Sequence, residues 1–341
     1  MTPRPPAPVV LVLALLAGAL PACKGGPRAA DRERARSGSA TDPGGDADPA
    51  SFDPAESGTG RPLAPAQQER FVRIESLVAQ WDAVQQEGKD EEASLLAKKV
   101  GEETDADFDV IVASARGQHG VRAEHLAVKA LGFSTRREAT AVLVSKLTSP
   151  DAALVGNALI AIKLRADPDT PLPPIVALLR SNTLEARRFA PLAFANVVIA
   201  RERAGRPIEE AIAEKAMTGL VGLVQDRDPY ARLHTAKAMG ALRRPEATDF
   251  LVLLLKDEHT RIRLAAAAAL ERIGDPRTFP QVLRLFDDLP EEQKPVLRDI
   301  LASYAAHLTG SPIPPDEVLR LGTSPIAWDR WYADHVAGAK R

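Results

Sequence analysis

Two neighbouring stretches of this chain repeat one another, and that constrains its fold more than any other feature of the sequence. Asp226–Lys256 (DRDPYARLHTAKAMGALRRPEATDFLVLLLK) and Asp257–Asp287 (DEHTRIRLAAAAALERIGDPRTFPQVLRLFD) superpose at an offset of 31 residues. Asp226 falls on Asp257, Arg232 on Arg263, Ala236 and Ala238 on Ala267 and Ala269, and Leu251 and Leu254 on Val282 and Leu285. Weaker copies in phase start at Val121 (VRAEHLAVKALG), Leu154 (LVGNALIAIKLRADP) and Ala186 (ARRFAPLAFANV). The anchors Val121, Leu154, Ala186, Ala231 and Ile262 are 33, 32, 45 and 31 residues apart. The 45-residue interval accommodates a longer helix pair turning at Ala204-Gly205-Arg206-Pro207, and Pro191 is expected to kink its first helix. Gly240-Ala241-Leu242 aligns one residue off Ile273-Gly274, which predicts a slipped turn between the helices of that copy. A unit this short cannot bury two apolar faces alone, so successive units must stack.

Periodicity makes each unit helical. Phe71, Ile74, Leu77, Val78 and Trp81 form one apolar stripe on a helix of about 20 residues. Helical patterns then follow at about 90–100, 105–116, 121–132, 135–147, 151–164, 172–180, 183–203, 208–225, 229–242, 245–256, 258–273, 276–287 and 290–308. Aromatic residues are only 4% of the chain while hydrophobic residues are 45%, which suits closely packed alanine- and leucine-rich helices. The copies resemble HEAT repeats of the short bacterial kind, with alanine-rich first helices, a turn at Gly274-Asp275-Pro276 and leucine-rich second helices. The resemblance covers about residues 105–290 and implies an all-α fold, a right-handed α-solenoid of stacked antiparallel helix pairs. The expected organisation is N-terminal capping helices over 66–116, repeats over 117–290, and C-terminal capping helices with a Trp-containing tail over 291–341.

Arg122, Arg187, Arg232 and Arg263 recur at one repeat position, and Asp226 and Asp257 lie six residues before the last two. The HEAT resemblance implies that such acid and arginine pairs form a ladder between repeats, a task suited to a planar guanidinium. An anion-binding stripe is the alternative. His119, His125, His234, His259, His307 and His335 are scattered without a helical His pair, so no metal site is expected. The iron-dependent deoxyhypusine hydroxylases, a HEAT-like enzyme class, place glutamate after histidine, where this chain has Leu126 after His125. Bilin lyases have similar repeats, but a secreted chain with one cysteine lends that branch no support. Glu209-Glu210 and Glu291-Glu292 sit at helix starts, where they complement the helix dipole. Trp328, Trp331 and Tyr332 break the repeat period and read as a cap over the last apolar face, or else as an exposed aromatic patch.

The N-terminus carries a different signal. Arg4 precedes an apolar run from Val9 to Leu20. Twelve helical residues reach about 18 Å, short of the roughly 30 Å needed to span a bilayer. Leu20-Pro21-Ala22-Cys23 resembles the lipobox of bacterial lipoproteins, which implies a signal peptide over 1–22 and lipid on Cys23, the one cysteine. Residues 23–65, rich in Gly, Pro, Ser, Asp and Arg, read as a tether with a mean reach of roughly 30–40 Å. Lys24 follows the cysteine where aspartate would signal inner-membrane retention, so the outer membrane is preferred.

With 44 basic and 46 acidic residues spread along the chain, no polybasic arm points to nucleic acid. The expectation is a non-catalytic, monomeric, cofactor-free scaffold in the bacterial envelope that binds a protein partner. An enzyme or accessory subunit of envelope metabolism and a structural envelope protein are the alternatives.

Overall fold

The computed structural model describes residues 60–338. The expected signal peptide, Cys23 and most of the expected tether lie outside the described residues. The packed chain starts earlier than the tether boundary at 65 suggests. Leu63 is buried in the core, and the Arg61 amide donates to the Gln118 carbonyl at 2.8 Å, so the approach to the first helix is tied down by burial and by hydrogen bonding.

Three helices open the structure: α1 (Pro65–Gln86), α2 (Asp90–Ala106) and α3 (Phe108–Ala115). Phe71, Ile74 and Val78 form the buried face of α1, which packs along α2. Helix pairs follow: α4 (Val121–Leu131) with α5 (Glu138–Lys146), α6 (Ala152–Arg165) with α7 (Leu172–Leu178), and α8 (Leu184–Arg203) with α9 (Glu210–Val221). The clearest copies are α10 (Pro229–Leu242) with α11 (Thr248–Leu254), and α12 (Thr260–Ile273) with α13 (Phe279–Leu283) and α14 (Leu285–Asp288). Three helices close the structure: α15 (Lys294–Thr309), α16 (Pro315–Leu321) and α17 (Pro325–Tyr332). Among the described residues there is no strand, and the chain is an all-α solenoid.

The first helix of each pair is long and the second is short, and the two kinds form separate layers. Helices α4, α6, α8, α10, α12 and α15 lie side by side in one row. Alanine allows this close approach: Ala190 and Ala193 on α8, Ala236 and Ala238 on α10, and Ala266 and Ala267 on α12 are almost wholly buried. Helix packing spans 8–10 Å depending on the side chains between axes, so small residues set the near limit. The short helices fill the second layer with larger side chains, among them Leu172, Ile175, Leu220, Leu251 and Phe279, all buried. Full burial of such a side chain contributes about 1.5–3 kcal/mol.

The expected slip between the two clearest copies is absent. Helices α10 and α12 end at Leu242 and Ile273, their left-handed caps are Arg243 (φ 52°) and Gly274 (φ 75°), and short 3₁₀ turns start at Pro245 and Pro276. Each pair is 31 residues apart, as the full repeat is. Gly240 is therefore no counterpart of the capping Gly274. A Cβ on Gly240 would lie 2.8 Å from the Ala269 Cα, so this glycine is needed where α10 meets the backbone of α12. Pro191 lies within α8, which is helical from Leu184 to Arg203.

Candidate functional site

The repeated arginines serve unlike partners. In the middle of the solenoid each reaches into the next repeat. Arg187 Nε donates to Asp226 Oδ2 at 2.7 Å, and Arg232 Nε donates to Asp257 Oδ2 at the same distance, with a second bond from Nη2 to Oδ1 at 3.2 Å. The other edge of the guanidinium holds the turn at the start of its own repeat: Nη1 of Arg187 donates to the Asn182 carbonyl and Nη1 of Arg232 to the Asp226 carbonyl, both at 2.8 Å. Asp257 also accepts from the His259 amide through Oδ1. Burial by itself would raise the Asp257 carboxyl, but the Arg232 bond and that amide override it and hold it below the ordinary carboxylate range.

At the two ends the pattern changes. Arg263 donates to the Asp257 carbonyl at 2.9 Å and to the main-chain carbonyl of Asp288 at 3.1 Å. Asp288 occupies the repeat position of Asp257 but offers its backbone. Arg122 turns back to Glu75 on α1, at 3.0 and 3.2 Å, and both side chains are exposed. His125 contacts the next repeat instead. Its Nε2–H donates to Asp151 Oδ2 at 2.8 Å while Nδ1 accepts from Asn157 at 3.2 Å.

A second set of arginines, unremarked in the sequence, joins the other ends of the long helices. Arg165 on α6 donates to the Ser134 carbonyl and, at 2.9 Å, to the Arg136 carbonyl. Arg201 on α8 reaches the Pro168 carbonyl at 3.2 Å, and Arg272 on α12 reaches the Gly240 carbonyl at 3.0 Å. The readable signal was a basic residue in the last turn of each of these helices, where it also complements the dipole.

His119 and Ser114 form the contact most like catalytic machinery, at 2.8 Å. Ser114 is fully buried, and its hydroxyl donates to the Val110 carbonyl. The imidazole must then donate Nδ1–H to the serine oxygen, which is the reverse of general-base activation. His234 is also structural. Its Nδ1 donates to the Arg188 carbonyl at 2.5 Å, and burial, reinforced by the Lys237 charge, pushes the imidazole down to about 3.

One cleft of about 230 Å³ on the long-helix row gathers basic side chains from several repeats. Lys163 of α6, Arg203 of α8, Lys237 of α10 and Arg272 of α12 each contribute a cation. Ala195, Ile199, Ala265, Ala268 and Ala269 give an apolar floor, and no acidic side chain lines the cleft. Burial lowers Lys163, and it pushes Lys237 down to about 8, helped by the nearby charges of Lys163 and Arg261. At Arg272 burial and the Arg243 charge lower the guanidinium against the pull of Glu202, which it contacts at 2.9 Å.

The aromatic tail forms a lid on the last repeat. Trp328 is wholly buried and Trp331 almost so. Tyr332 stacks on Phe279 at 4.9 Å between ring centres, and its hydroxyl donates to the Pro276 carbonyl at 2.9 Å. The Tyr304 hydroxyl donates to the Asp275 carbonyl at 2.6 Å, so both rings hold the final inter-helix turn.

Residues 218–302 match the family model for HEAT repeats. "Uncharacterized phycocyanin operon protein Z" of Pseudanabaena tenuis is 26% identical over 116 residues, 34% of this chain; the chain spans about half, 54%, of that relative's length. Among solved structures, the designed armadillo repeat protein YIII(Dq)4CqI is 19% identical with a TM-score of 0.40, covering 64% of this chain and 97% of that one. An engineered protein is 17% identical with a TM-score of 0.46, covering 75% of this chain and 71% of that one. The chain is an all-α helical solenoid, and its residues 218–302 carry the sequence signature of HEAT repeats.

Proposed function

We propose that this chain is a lipid-anchored envelope protein whose solenoid binds a protein partner through the long-helix row. The observation that carries the reading is the cleft, which collects cations and apolar surface across four successive long helices, while the repeated arginines Arg187 and Arg232 are engaged in holding repeats together. A preformed surface of this kind recognises a partner by shape and charge without reordering itself. The anchor is a diacylglyceryl group on Cys23 with a further acyl chain on its amine, since one chain gives marginal membrane binding and more than one gives stable attachment. Lys24 directs the lipoprotein to the outer membrane, and residues 24 to about 60 give the solenoid room to meet its partner.

Each half has its own test. Cells fed a clickable fatty acid should label the wild-type chain and not Cys23→Ala; equal labelling of both, or of neither, contradicts the anchor. Crosslinking intact envelopes and purifying the chain should recover one protein in near-stoichiometric amount. Recovery of none contradicts the scaffold.

A further inference from the structure

The basic cleft has a composition that selects its occupant. Lys163 from α6 and Lys237 from α10 enter it from either side of α8, whose Ala195, Asn196 and Ile199 face the space between them. Asn196, which donates one N–H to the Leu192 carbonyl at 2.9 Å, supplies the uncharged polar side chain of the lining, and four cations supply the rest, so the cations are the chief polar attraction. Cations on an apolar floor, with no carboxylate in the lining, suit a group that brings negative charge and hydrocarbon together. The size narrows the class. A cleft of about 230 Å³ is smaller than the roughly 300–1,000 Å³ of pockets that enclose a free small ligand. It holds on the order of seven waters, comparable to a few side chains supplied by a longer chain.

We propose that the cleft binds an acidic peptide segment of the partner, in which an apolar side chain flanked by glutamate or aspartate sits on the alanine floor and its neighbouring carboxylates meet Lys163 and Lys237. This rests on the scaffold reading above and specifies the chemistry of that partner. Arg203, at the end of α8, extends the same preference along the segment. A basic segment would bring like charges to the two lysines and is rejected.

The test uses the full-length chain in detergent and three fluorescein-labelled peptides, GEELEEG, GEESEEG and GKKLKKG, followed by anisotropy. The acidic leucine peptide should bind saturably and weaken as salt is raised. The serine peptide should bind about tenfold more weakly, and the basic peptide should not bind. Lys163→Gln/Lys237→Gln should weaken the acidic leucine peptide at least tenfold without lowering the melting temperature. If the double variant loses its fold, Lys237→Met alone takes its place, with the same direction of effect expected. No saturable binding, or equal binding by wild type and the folded variant, overturns the proposal. The two claims part in the crosslinked envelope. A partner retained by the double variant overturns the cleft and leaves the scaffold standing, whereas peptide binding with no partner recovered supports the cleft and removes the scaffold.

Discussion

Arg232 and Arg122 occupy the same repeat position and should differ widely in what they contribute. The Arg232 and Asp257 side chains are 11% and 6% exposed, while those of Arg122 and Glu75 are 43% and 44% exposed. Truncating one member of a nearly buried pair strands the other charge, at a cost of about 3–5 kcal/mol; losing an exposed pair costs about 0–1 kcal/mol. Urea unfolding should therefore show Arg232→Met destabilised by about 3 kcal/mol and Arg122→Met by less than about 1 kcal/mol. Equal losses would contradict the distinction drawn from burial. Lys237 makes a prediction of opposite sign. Its folded value of about 8 lies below the ordinary 10.5, because of burial and then the charges of Lys163 and Arg261. Between those values the unfolded chain holds the extra proton, so this group's contribution to stability rises as pH rises through the window. Lys237→Met removes the penalty, and its stability advantage should be largest below pH 8 and shrink by pH 10.5. At about 1.36 kcal/mol per unit, the change is at most roughly 3 kcal/mol. Thermal melts of both proteins across that range check it, and an advantage that grows with pH contradicts it.

Helices were the most legible elements, because their apolar spacing is local. The ranges read for 121–132, 183–203 and 229–242 fall close to α4, α8 and α10. Turns were harder to read, because the same left-handed cap is built from different residues. Ala166 (φ 43°), Arg243 (φ 52°) and Gly274 (φ 75°) end α6, α10 and α12 alike, and only the last announces itself as glycine. Aligning Gly240 near Gly274 produced the expected slip, whereas Pro245 and Pro276 carried the true register. The ladder arginines were visible as a periodic column, but their partners depended on the neighbouring unit: Asp226 and Asp257 in the middle, Glu75 before it and the Asp288 backbone after it. The cleft was not legible, because Lys163 and Lys237 come from separate repeats and align with no shared motif. The non-glycine caps also carry a measurable strain. A left-handed alanine costs about 1–2 kcal/mol, partly offset by the greater entropy of glycine in the unfolded chain. Ala166→Gly should raise stability by about 0.5–1 kcal/mol in equilibrium unfolding, and a loss of stability would show that the cap is not strained.

At the scale of the molecule, stacking makes one core of what no single pair could stabilise. The row of long helices supplies continuity, the two sets of arginines tie adjacent repeats, and the ends need their own closures. Helices α1–α3 close one end, while Tyr304, Trp328 and Tyr332 cover Phe279 and its turn at the other. Between those closures the long-helix row offers the cleft, and the short-helix layer exposes isolated apolar residues such as Leu253, 51% exposed on α11. A photocrosslinking amino acid placed at Arg203, on the rim of the cleft, or at Leu253, on the other layer, asks directly which face the partner uses. After irradiation of intact cells, the Arg203 position should capture one partner and the Leu253 position none. Capture from Leu253 alone, or from neither position, would contradict binding through the long-helix row.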